Sequence, residues 1–359
     1  MRSSLIQAAE ENLPFAVYSL PEDEEVQVII QKDRELPFFP FEDISELEGF
    51  IVAPFRGDRI NHALCVRADN KFRMNVNEFS DQVSGILTDQ LVDMKRTGEY
   101  VMTKEEYLKR VAYLVELLRD GELRKVVVSR IVDHKIDETF SIWPFLVALI
   151  QGNPKAFVYL VRLPGFGTWI GATPELLFRM EGARVETVAL AGTMPADETT
   201  WKEKEIREQR IVMDYIEELL FREKITTYEK EGPITASAGN VQHLKTTYSL
   251  SREQTEKKVG KLIAGLHPTP AVCGLPRNKA YELIRKVEKH ERGFYSGFIG
   301  PWHLNDASQL YVNLRCAEIL NDRINLFVGG GLTAESKPVD EWEETVRKSY
   351  TLLSVLEKI

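Results

Sequence analysis

Strand-like and helical segments do not alternate regularly along this chain, and this irregular order constrains the fold more than any other feature. Before about residue 100, Pro, Asp and Gly separate short apolar runs, which predicts short strands over residues 25–30, 49–55 and 62–66. Longer strands and helices follow, in an order unlike the repeated strand–helix–strand units of a parallel sheet. We therefore predict an α+β fold.

Capping residues and periodicity predict the individual elements. Thr103, with Glu106 three residues later, predicts the start of a helix over residues 103–118, which ends near Gly121. Apolar spacing predicts further helices over residues 201–224, 252–266 and 339–356. Apolar and β-branched runs predict strands over residues 125–132, 157–161, 168–170, 176–180, 184–189, 297–302, 310–319 and 324–328, the fourth and fifth forming a hairpin.

Length and charge narrow the class of protein. The 359 residues suffice for one large domain or two ordinary ones, and 46 Lys+Arg against 55 Asp+Glu give a formal charge of −9. No general basic field is present, so neither a nucleic acid nor a membrane is expected as a partner. The three cysteines lack CxxC spacing, and the sequence shows neither an export signal nor an apolar stretch long enough to cross a bilayer. We expect a cytoplasmic protein that binds anions through locally placed cations or a metal.

Two pairs of glutamates are candidate metal ligands. Glu205 and Glu208 lie three residues apart on one predicted helix, and Glu341 and Glu344 do the same on another, with Lys348 four residues beyond Glu344. Residues at this spacing share a helix face, and four carboxylates brought together would need a hard cation such as Mg²⁺ to offset their repulsion. Taken alone, each pair is more often a solvated helix face.

Lys125 and Glu175 are candidate acid–base residues. Lys125 begins an apolar strand, where burial would lower its pKa and make the neutral amine available as a base; a lysine at a strand edge facing water is the alternative. Glu175 lies where a turn enters another apolar strand. Its carboxyl could keep a proton there and act as a general acid, or it could cap backbone N–H groups.

Two further segments could shape a pocket. Residues 329–334 (GGGLTA) superficially match a dinucleotide fingerprint, but too little chain follows for a nucleotide-binding unit, which leaves an anion-binding glycine turn or a plain tight turn. Residues 267–277 contain three prolines, which predicts a stiff loop. The other histidines show no ligand spacing and are assigned to surface or core: His62, His134, His243, His290 and His303.

Eight ordered blocks resemble the chorismate-utilising enzymes, the family of anthranilate, aminodeoxychorismate, isochorismate and salicylate synthases. They are residues 125–130 (KVVVSR), 171–177 (GATPELL), 190–193 (LAGT), 203–208 (EKEIRE), 267–277, 291–297 (ERGFYSG), 314–318 (LRCAE) and 329–348. These core motifs fall within residues 101–359, whereas residues 1–100 match less well. The resemblance implies a single chorismate-binding domain over residues 1–359, with two stacked, mainly antiparallel sheets, peripheral helices and strands supplied by the N-terminal part.

Lys125 and Ala191 resemble the branch of the family that uses water as the nucleophile. Members that add ammonia have glutamine where this chain has Lys125, and the aminodeoxychorismate branch has a nucleophilic lysine where it has Ala191. Ala271 resembles the isochorismate type, since the salicylate type has threonine there. The resemblance therefore implies isochorismate formation for menaquinone or siderophore synthesis without a glutaminase subunit, and we expect a monomer. A salicylate synthase, a chorismate-binding protein without turnover and an amidotransferase-partnered synthase are the alternatives.

The resemblance also implies a role for each candidate residue. Lys125 would activate water for attack at C2 of chorismate, and Glu175 would protonate the departing C4 hydroxyl. Gln209 stands where family members commonly have histidine, which predicts altered hydrogen bonding near the metal rather than its loss. Mg²⁺ would be held by Glu208 and Glu344 with Glu205 and Glu341 nearby, and chorismate would contact Tyr295, Arg315, Gly329, Lys348, Ala271 and His267.

Overall fold

Two nine-stranded sheets form the centre of the computed structural model, which describes residues 1–55, 61–86, 100–137, 139–238 and 241–359. Every strand pairing within these residues is antiparallel. The strands are β1 (Phe15–Ser19), β2 (Glu25–Ile30), β3 (Phe38–Pro40), β4 (Gly49–Ala53), β5 (His62–Arg67), β6 (Asn70–Asn75), β7 (Lys125–Lys135), β8 (Phe157–Leu163), β9 (Gly167–Thr173), β10 (Leu176–Glu181), β11 (Arg184–Pro195), β12 (Glu229–Ala238), β13 (Val241–Ser251), β14 (Gly274–Leu275), β15 (Phe298–Trp302), β16 (Ala307–Val312), β17 (Cys316–Ile319) and β18 (Arg323–Leu332).

Helices surround the two sheets. They are α1 (Arg2–Glu10), α2 (Val76–Val83), α3 (Lys104–Arg119), α4 (Ile142–Gly152), α5 (Glu203–Arg222), α6 (Arg252–Thr255), α7 (Val259–Leu266), α8 (Arg277–Val287) and α9 (Pro338–Leu356). The predicted start of α3 is confirmed: Thr103 accepts a hydrogen bond from the Glu106 N–H, and the Glu106 carboxylate accepts one from the Thr103 N–H. Within the described residues, no helix is both long and apolar enough to cross a membrane.

Both sheets combine strands from distant parts of the chain. The first sheet has the order β14-β7-β18-β17-β9-β8-β1-β2-β6, and the second has the order β12-β13-β11-β10-β16-β15-β4-β5-β3. Strands from before residue 100 therefore extend one edge of each sheet. This non-alternating order makes the fold α+β, as predicted.

The inner faces of the two sheets pack on each other through large aromatic side chains. Phe157 of the first sheet stacks on Tyr311 of the second, with ring centroids 4.4 Å apart and an interplanar angle of 2°. Burial of such a side chain contributes about 1.5–3 kcal/mol. Helices α1, α2, α4 and α9 cover the outer face of the first sheet, and α5 and α7 cover that of the second. The layers are thus helix, sheet, sheet and helix.

Three predicted segments differ in the structure. Residues 310–319 form two strands, β16 and β17, which belong to different sheets, and Arg315 between them has a φ of +47°. Residues 252–266 form α6, a short 3₁₀ turn and α7 rather than one helix. Gly329 to Gly331 do not form a turn, because they lie inside β18 and pair with Ser129 to Val127 of β7.

The glycines of β18 are required by what approaches them. A Cβ on Gly331 would lie 2.2 Å from Glu208 Oε1 and 2.7 Å from Lys125 Cε, and one on Gly329 would lie 2.7 Å from the Tyr295 hydroxyl. A larger residue at Gly331 would therefore collide with Glu208 and Lys125, and one at Gly329 would collide with Tyr295. The missing side chains of β18 make room for a cavity.

Candidate active site

A cavity between the ends of the two sheets brings most of the candidates together. It is bounded by β7 and β18 of the first sheet, β11 and β13 of the second, and helices α5 and α9. The lining residues are Lys125, Pro174, Glu175, Leu190, Ala191, Gly192, Thr193, Glu208, His243, Ala271, Tyr295, Leu314, Arg315, Phe327, Val328, Gly329, Gly331, Glu344 and Lys348.

Lys125 is buried in the cavity wall. It is the first residue of β7, which lies between β14 and β18, and it is 1% exposed. Its Nζ lies 3.0 Å from Glu208 Oε1 on α5. The alternative of a water-facing lysine at a strand edge is therefore wrong.

Glu175 presents a carboxyl to the same cavity. It follows β9, and its backbone carbonyl accepts a hydrogen bond of 2.9 Å from the Val312 N–H. Burial raises the pKa of Glu175 to about 8, although the nearby Lys125, Lys348 and Arg315 oppose this shift. The carboxyl therefore keeps its proton at neutral pH, as a general acid must.

The four glutamates divide between two spaces. Glu208 and Glu344 line the cavity, whereas Glu205 and Glu341 line a neighbouring cleft, which Glu344 also reaches. Lysines hold three of them: Lys125 holds Glu208, Lys204 lies 2.7 Å from Glu341, and Lys348 lies 2.6 Å from Glu344.

Glu341 and Glu344 of α9 have opposite pKa shifts. Burial and the neighbouring Glu344 raise the pKa of Glu341 to about 7, with Lys204 acting against them. Burial opposes ionisation of Glu344 as well, but Lys348 and Lys204 outweigh it and lower the pKa of Glu344 to about 2. The pair therefore retains one firmly ionised carboxylate at neutral pH.

The carboxylates suit a hard cation chemically. Oε2 of Glu205 and Oε2 of Glu341 are buried without a hydrogen-bond partner. A point at the Cβ position of Gly330 is 3.2 Å from Glu341 Oε2 and 3.6 Å from Glu344 Oε1. In the described part of the chain, no three His, Cys, Asp or Glu side chains are already grouped as a metal site. The donor set fits Mg²⁺, provided that the carboxylates turn from their lysines towards it.

Cationic and phenolic groups are available for an anionic ligand. Burial lowers the pKa of Arg315 to about 10 and raises the pKa of Tyr295 to about 12, so at neutral pH the first is charged and the second keeps its proton. Lys348 Nζ donates a hydrogen bond of 3.0 Å to the Gly329 carbonyl. Together these groups can bind a carboxylate by ion pairing and hydrogen bonding.

His243 of β13 belongs to the cavity, and its assignment to surface or core missed this role. Its Nδ1 donates to the Gly192 carbonyl at 2.9 Å, so Nε2 is left to face Arg315 Nη2 at 3.5 Å. Burial, together with Arg315 and Lys348, lowers the pKa of His243 to about 3. No sequence motif signalled this position, because Arg315, which His243 faces, lies far along the chain in the connection between β16 and β17.

His267 lies outside the cavity lining, unlike the other residues expected to contact the substrate. Its Nε2 lies 3.0 Å from the Pro54 carbonyl, and its ring packs edge-on against Phe41 and Phe298. Burial lowers its pKa to about 4. It is a core residue at the base of the proline-containing loop, whereas Ala271 of the same loop does reach the cavity.

Comparison with known proteins agrees with this arrangement. Residues 60–357 match the family model described as chorismate binding enzyme. The chain belongs to this family. Its fold also superimposes on the crystal structure from Bacillus anthracis assigned as the 2,3-dihydroxybenzoate-specific isochorismate synthase DhbC, with a TM-score of 0.76, 25% identity, and coverage of 99% of this chain and 100% of that one. The predicted fold of stacked antiparallel sheets with peripheral helices is thereby confirmed.

Two characterised bacterial proteins are similar in sequence to this chain over about 70% of its length. The vibriobactin-specific isochorismate synthase of Vibrio cholerae is 30% identical over 261 residues, which is 70% of this chain and 66% of the relative. Isochorismate synthase EntC of Escherichia coli K12 is 29% identical over 256 residues, or 68% of this chain and 65% of the relative. The matched part is therefore just under two thirds of the length of each.

The Gln209 side chain forms its hydrogen bonds with the second sheet and not with the candidate metal-binding glutamates. Its Nε2 donates to the Ala189 carbonyl at 3.1 Å and to Thr246 Oγ1 at 3.0 Å, and the residue is 1% exposed. These bonds connect α5 to β11 and β13. Gln209 therefore points away from the cavity that the adjacent Glu208 enters.

Proposed function

We propose that this protein is an isochorismate synthase, which isomerises chorismate to isochorismate. The observation that carries the proposal is a buried Glu175 in one cavity with Lys125 and with cations suited to a dicarboxylate. The similarity to isochorismate synthases of Vibrio cholerae and Escherichia coli supports the same reaction.

Lys125 and Glu175 perform the acid–base chemistry. Lys125 takes a proton from water as the water oxygen bonds to C2 of the ring, and both double bonds of the ring shift towards C4. Glu175 gives its proton to the C4 hydroxyl as the C4–O bond breaks. One water enters and one leaves, so the reaction is an isomerisation. Groups of this kind contribute about 10²–10⁴ each in rate.

The ion pair with Glu208 sets a condition on the base. It favours the charged ammonium of Lys125, whereas a general base must be neutral. Lys125 therefore acts as a base only when Glu208 turns to another cation. Its position in the wall of a small buried cavity then excludes competing water.

Arg315 and Tyr295 bind the enolpyruvyl carboxylate, and Lys348 adds positive charge beside Gly329 and Glu344. Glu208 and Glu344, with Glu205 and Glu341 nearby, would hold Mg²⁺. Bound Mg²⁺ supplies positive charge that offsets the carboxylates and orients the ring carboxylate of the substrate. Ala191 and Ala271 line the cavity without a nucleophilic or hydroxyl group of their own.

We extend the proposal to the partners, the location and the pathway of the protein. Because water is the nucleophile, the enzyme works without a glutaminase subunit. We place it in the cytoplasm, as a monomer, in a route to menaquinone or a siderophore.

Product analysis tests this function directly. Purified protein is incubated with chorismate, with and without Mg²⁺, and the products are separated chromatographically. Isochorismate that forms only with the metal is the expected result, and Lys125→Ala and Glu175→Gln should each slow its formation about 10²–10⁴-fold. Salicylate with pyruvate would identify a salicylate synthase, an aminated product would refute water as the nucleophile, and binding without turnover would leave a chorismate-binding protein.

A further inference from the structure

A second space, which we call the outer cleft, shares a wall with the cavity. It is formed by residues 152–156 after α4, the end of β9 and the last turns of α9. Its volume is about 620 Å³, against about 70 Å³ for the cavity. Pro174 and Arg315 line both spaces. Movement of the Arg315 side chain would therefore join them.

The outer cleft is positively charged. Lys155 and Lys358 are exposed in it, Arg315 is 8% exposed at its inner end, and the described residues that line it include no Asp or Glu. This is a local exception in a chain with a formal charge of −9. Cations along a cleft concentrate the field and raise the local concentration of anions.

Arg315 contacts both spaces at once. Its Nη1 donates a hydrogen bond of 2.7 Å to Thr351 Oγ1 in the outer cleft, while its Nη2 faces His243 in the cavity at 3.5 Å. A guanidinium has donors on several edges, so it can hold one carboxylate while another group leaves it. Thr351 keeps one of these edges directed towards the outer cleft.

We infer that the outer cleft is the route by which a dicarboxylate substrate reaches the cavity and its product leaves. Lys155 and Lys358 attract the dianion, and Arg315 receives its carboxylate at the inner end. This inference rests on the proposed function for the identity of the dianion, namely chorismate. It does not depend on that function for the charge or the accessibility of the outer cleft.

Cysteine labelling tests the charge without any need for activity. Cys65, Cys273 and Cys316 are buried, so a new thiol in Ser354→Cys, on the α9 wall of the outer cleft, would be the one modified. An anionic methanethiosulfonate reagent should react about tenfold faster than a cationic one of similar size. Adding Lys155→Glu and Lys358→Glu should reverse this preference. Ser3→Cys, an exposed site on α1, controls for reagent reactivity. Equal rates for both reagents at Ser354→Cys would overturn the inference.

Blocking the outer cleft tests the route itself. Ser354→Cys labelled with a bulky reagent should lose about tenfold in kcat/KM while the unlabelled variant does not. Lys155→Glu with Lys358→Glu should lower kcat/KM mainly at low ionic strength. The matched pair Lys257→Glu with Lys261→Glu changes the same charge at exposed positions near α7 and should have little effect. Unchanged kcat/KM after labelling, or equal losses in both charge-reversal pairs, would refute the route.

Failure of the proposed function would look different. If the wild-type protein makes no isochorismate, calorimetric binding of chorismate replaces kcat/KM as the readout. The preference of Ser354→Cys for the anionic reagent would still test the charge of the outer cleft. Slower labelling of Ser354→Cys in the presence of chorismate would still test whether chorismate enters it. Lack of protection in a protein that binds chorismate would overturn the route alone.

Discussion

Lys125 Nζ and Glu208 Oε1 form a buried ion pair 3.0 Å long between β7 and α5, with side chains 2% and 8% exposed. The pair joins the proposed base to a proposed metal ligand. In the proposed mechanism, this single carboxylate contacts either the base or the cation. Removing either partner leaves a buried charge uncompensated, which typically costs about 3–5 kcal/mol.

Lys125→Met should abolish isochorismate formation, with a loss of about 10²–10⁴ or more in kcat, because the base is gone. Chorismate should still bind, since Arg315 and Tyr295 remain, and calorimetry checks this. Lys230→Met is a matched control, because Lys230 also forms a 2.6 Å pair with a glutamate, Glu217, but at the surface. Equal losses of activity in the two variants would exclude a chemical role for Lys125.

Activity should fall as the pH rises above about 8, where Glu175 loses the proton it must donate. Glu175→Gln cannot donate a proton, so it should retain about 10⁻²–10⁻⁴ of the rate and lose this alkaline limb. The measurement is a pH profile of kcat for both proteins. An unchanged limb in Glu175→Gln would assign the titration to another group.

The raised pKa of Glu175 also predicts how stability depends on pH. In the unfolded chain this carboxyl ionises near its ordinary value of 4.5, whereas in the folded protein it stays neutral up to about 8. Its contribution to stability is therefore complete below pH 4.5 and is lost as the pH rises to about 8. Chemical denaturation at pH 5 and pH 8 should show that the wild type loses more stability over this range than Glu175→Gln.

His243→Ala should raise KM about tenfold with a smaller change in kcat, because Arg315 loses the acceptor that faces it. His243→Gln can place an oxygen near the lost Nε2 and should recover part of the affinity. His243→Asn, whose side chain is too short, should not. Because the pKa of His243 is lowered to about 3, no limb of the wild-type pH profile above pH 5 should come from it.

Gln209→Leu should destabilise the protein by about 1–3 kcal/mol, because the Ala189 carbonyl and the Thr246 hydroxyl would lose a buried donor. Mg²⁺ affinity should be unchanged, since Gln209 points towards the second sheet. Thermal unfolding and calorimetric titration with Mg²⁺ measure the two effects separately. A lower metal affinity at unchanged stability would instead place Gln209 in the metal site.

Gly331→Ala should inactivate the enzyme, because the new methyl group would lie 2.2 Å from Glu208 Oε1 and 2.7 Å from Lys125 Cε. Gly330→Ala provides the comparison on the other face of β18, where the nearest atom, Glu341 Oε2, is 3.2 Å away. We expect Gly330→Ala to weaken Mg²⁺ binding while retaining more activity than Gly331→Ala. Circular dichroism confirms folding of both, and equal activities would contradict the crowding argument.

Local chemistry was predictable from the sequence where it depends on neighbours along the chain. The capping residues Thr103 and Glu106 predicted the start of α3. Two apolar runs around Glu181-Gly182 predicted the hairpin of β10 and β11. Local pattern failed where a strand changed sheet. Residues 310–319 resemble one strand because both halves are apolar. However, β16 ends at Val312, and Arg315, with its positive φ, lies where the chain passes into the other sheet.

The sequence by itself determined the α+β class, the strand that carries Lys125, the glutamate pairs on two helices and the family resemblance, because each depends on local spacing or on a motif. Only the tertiary structure decided that Lys125 is buried against Glu208 and that His243 faces Arg315. It also placed His267 outside the cavity and Gly329 to Gly331 within strand β18. These are contacts between residues far apart in the chain. Their partners are set by how the two sheets pack, which no local pattern encodes.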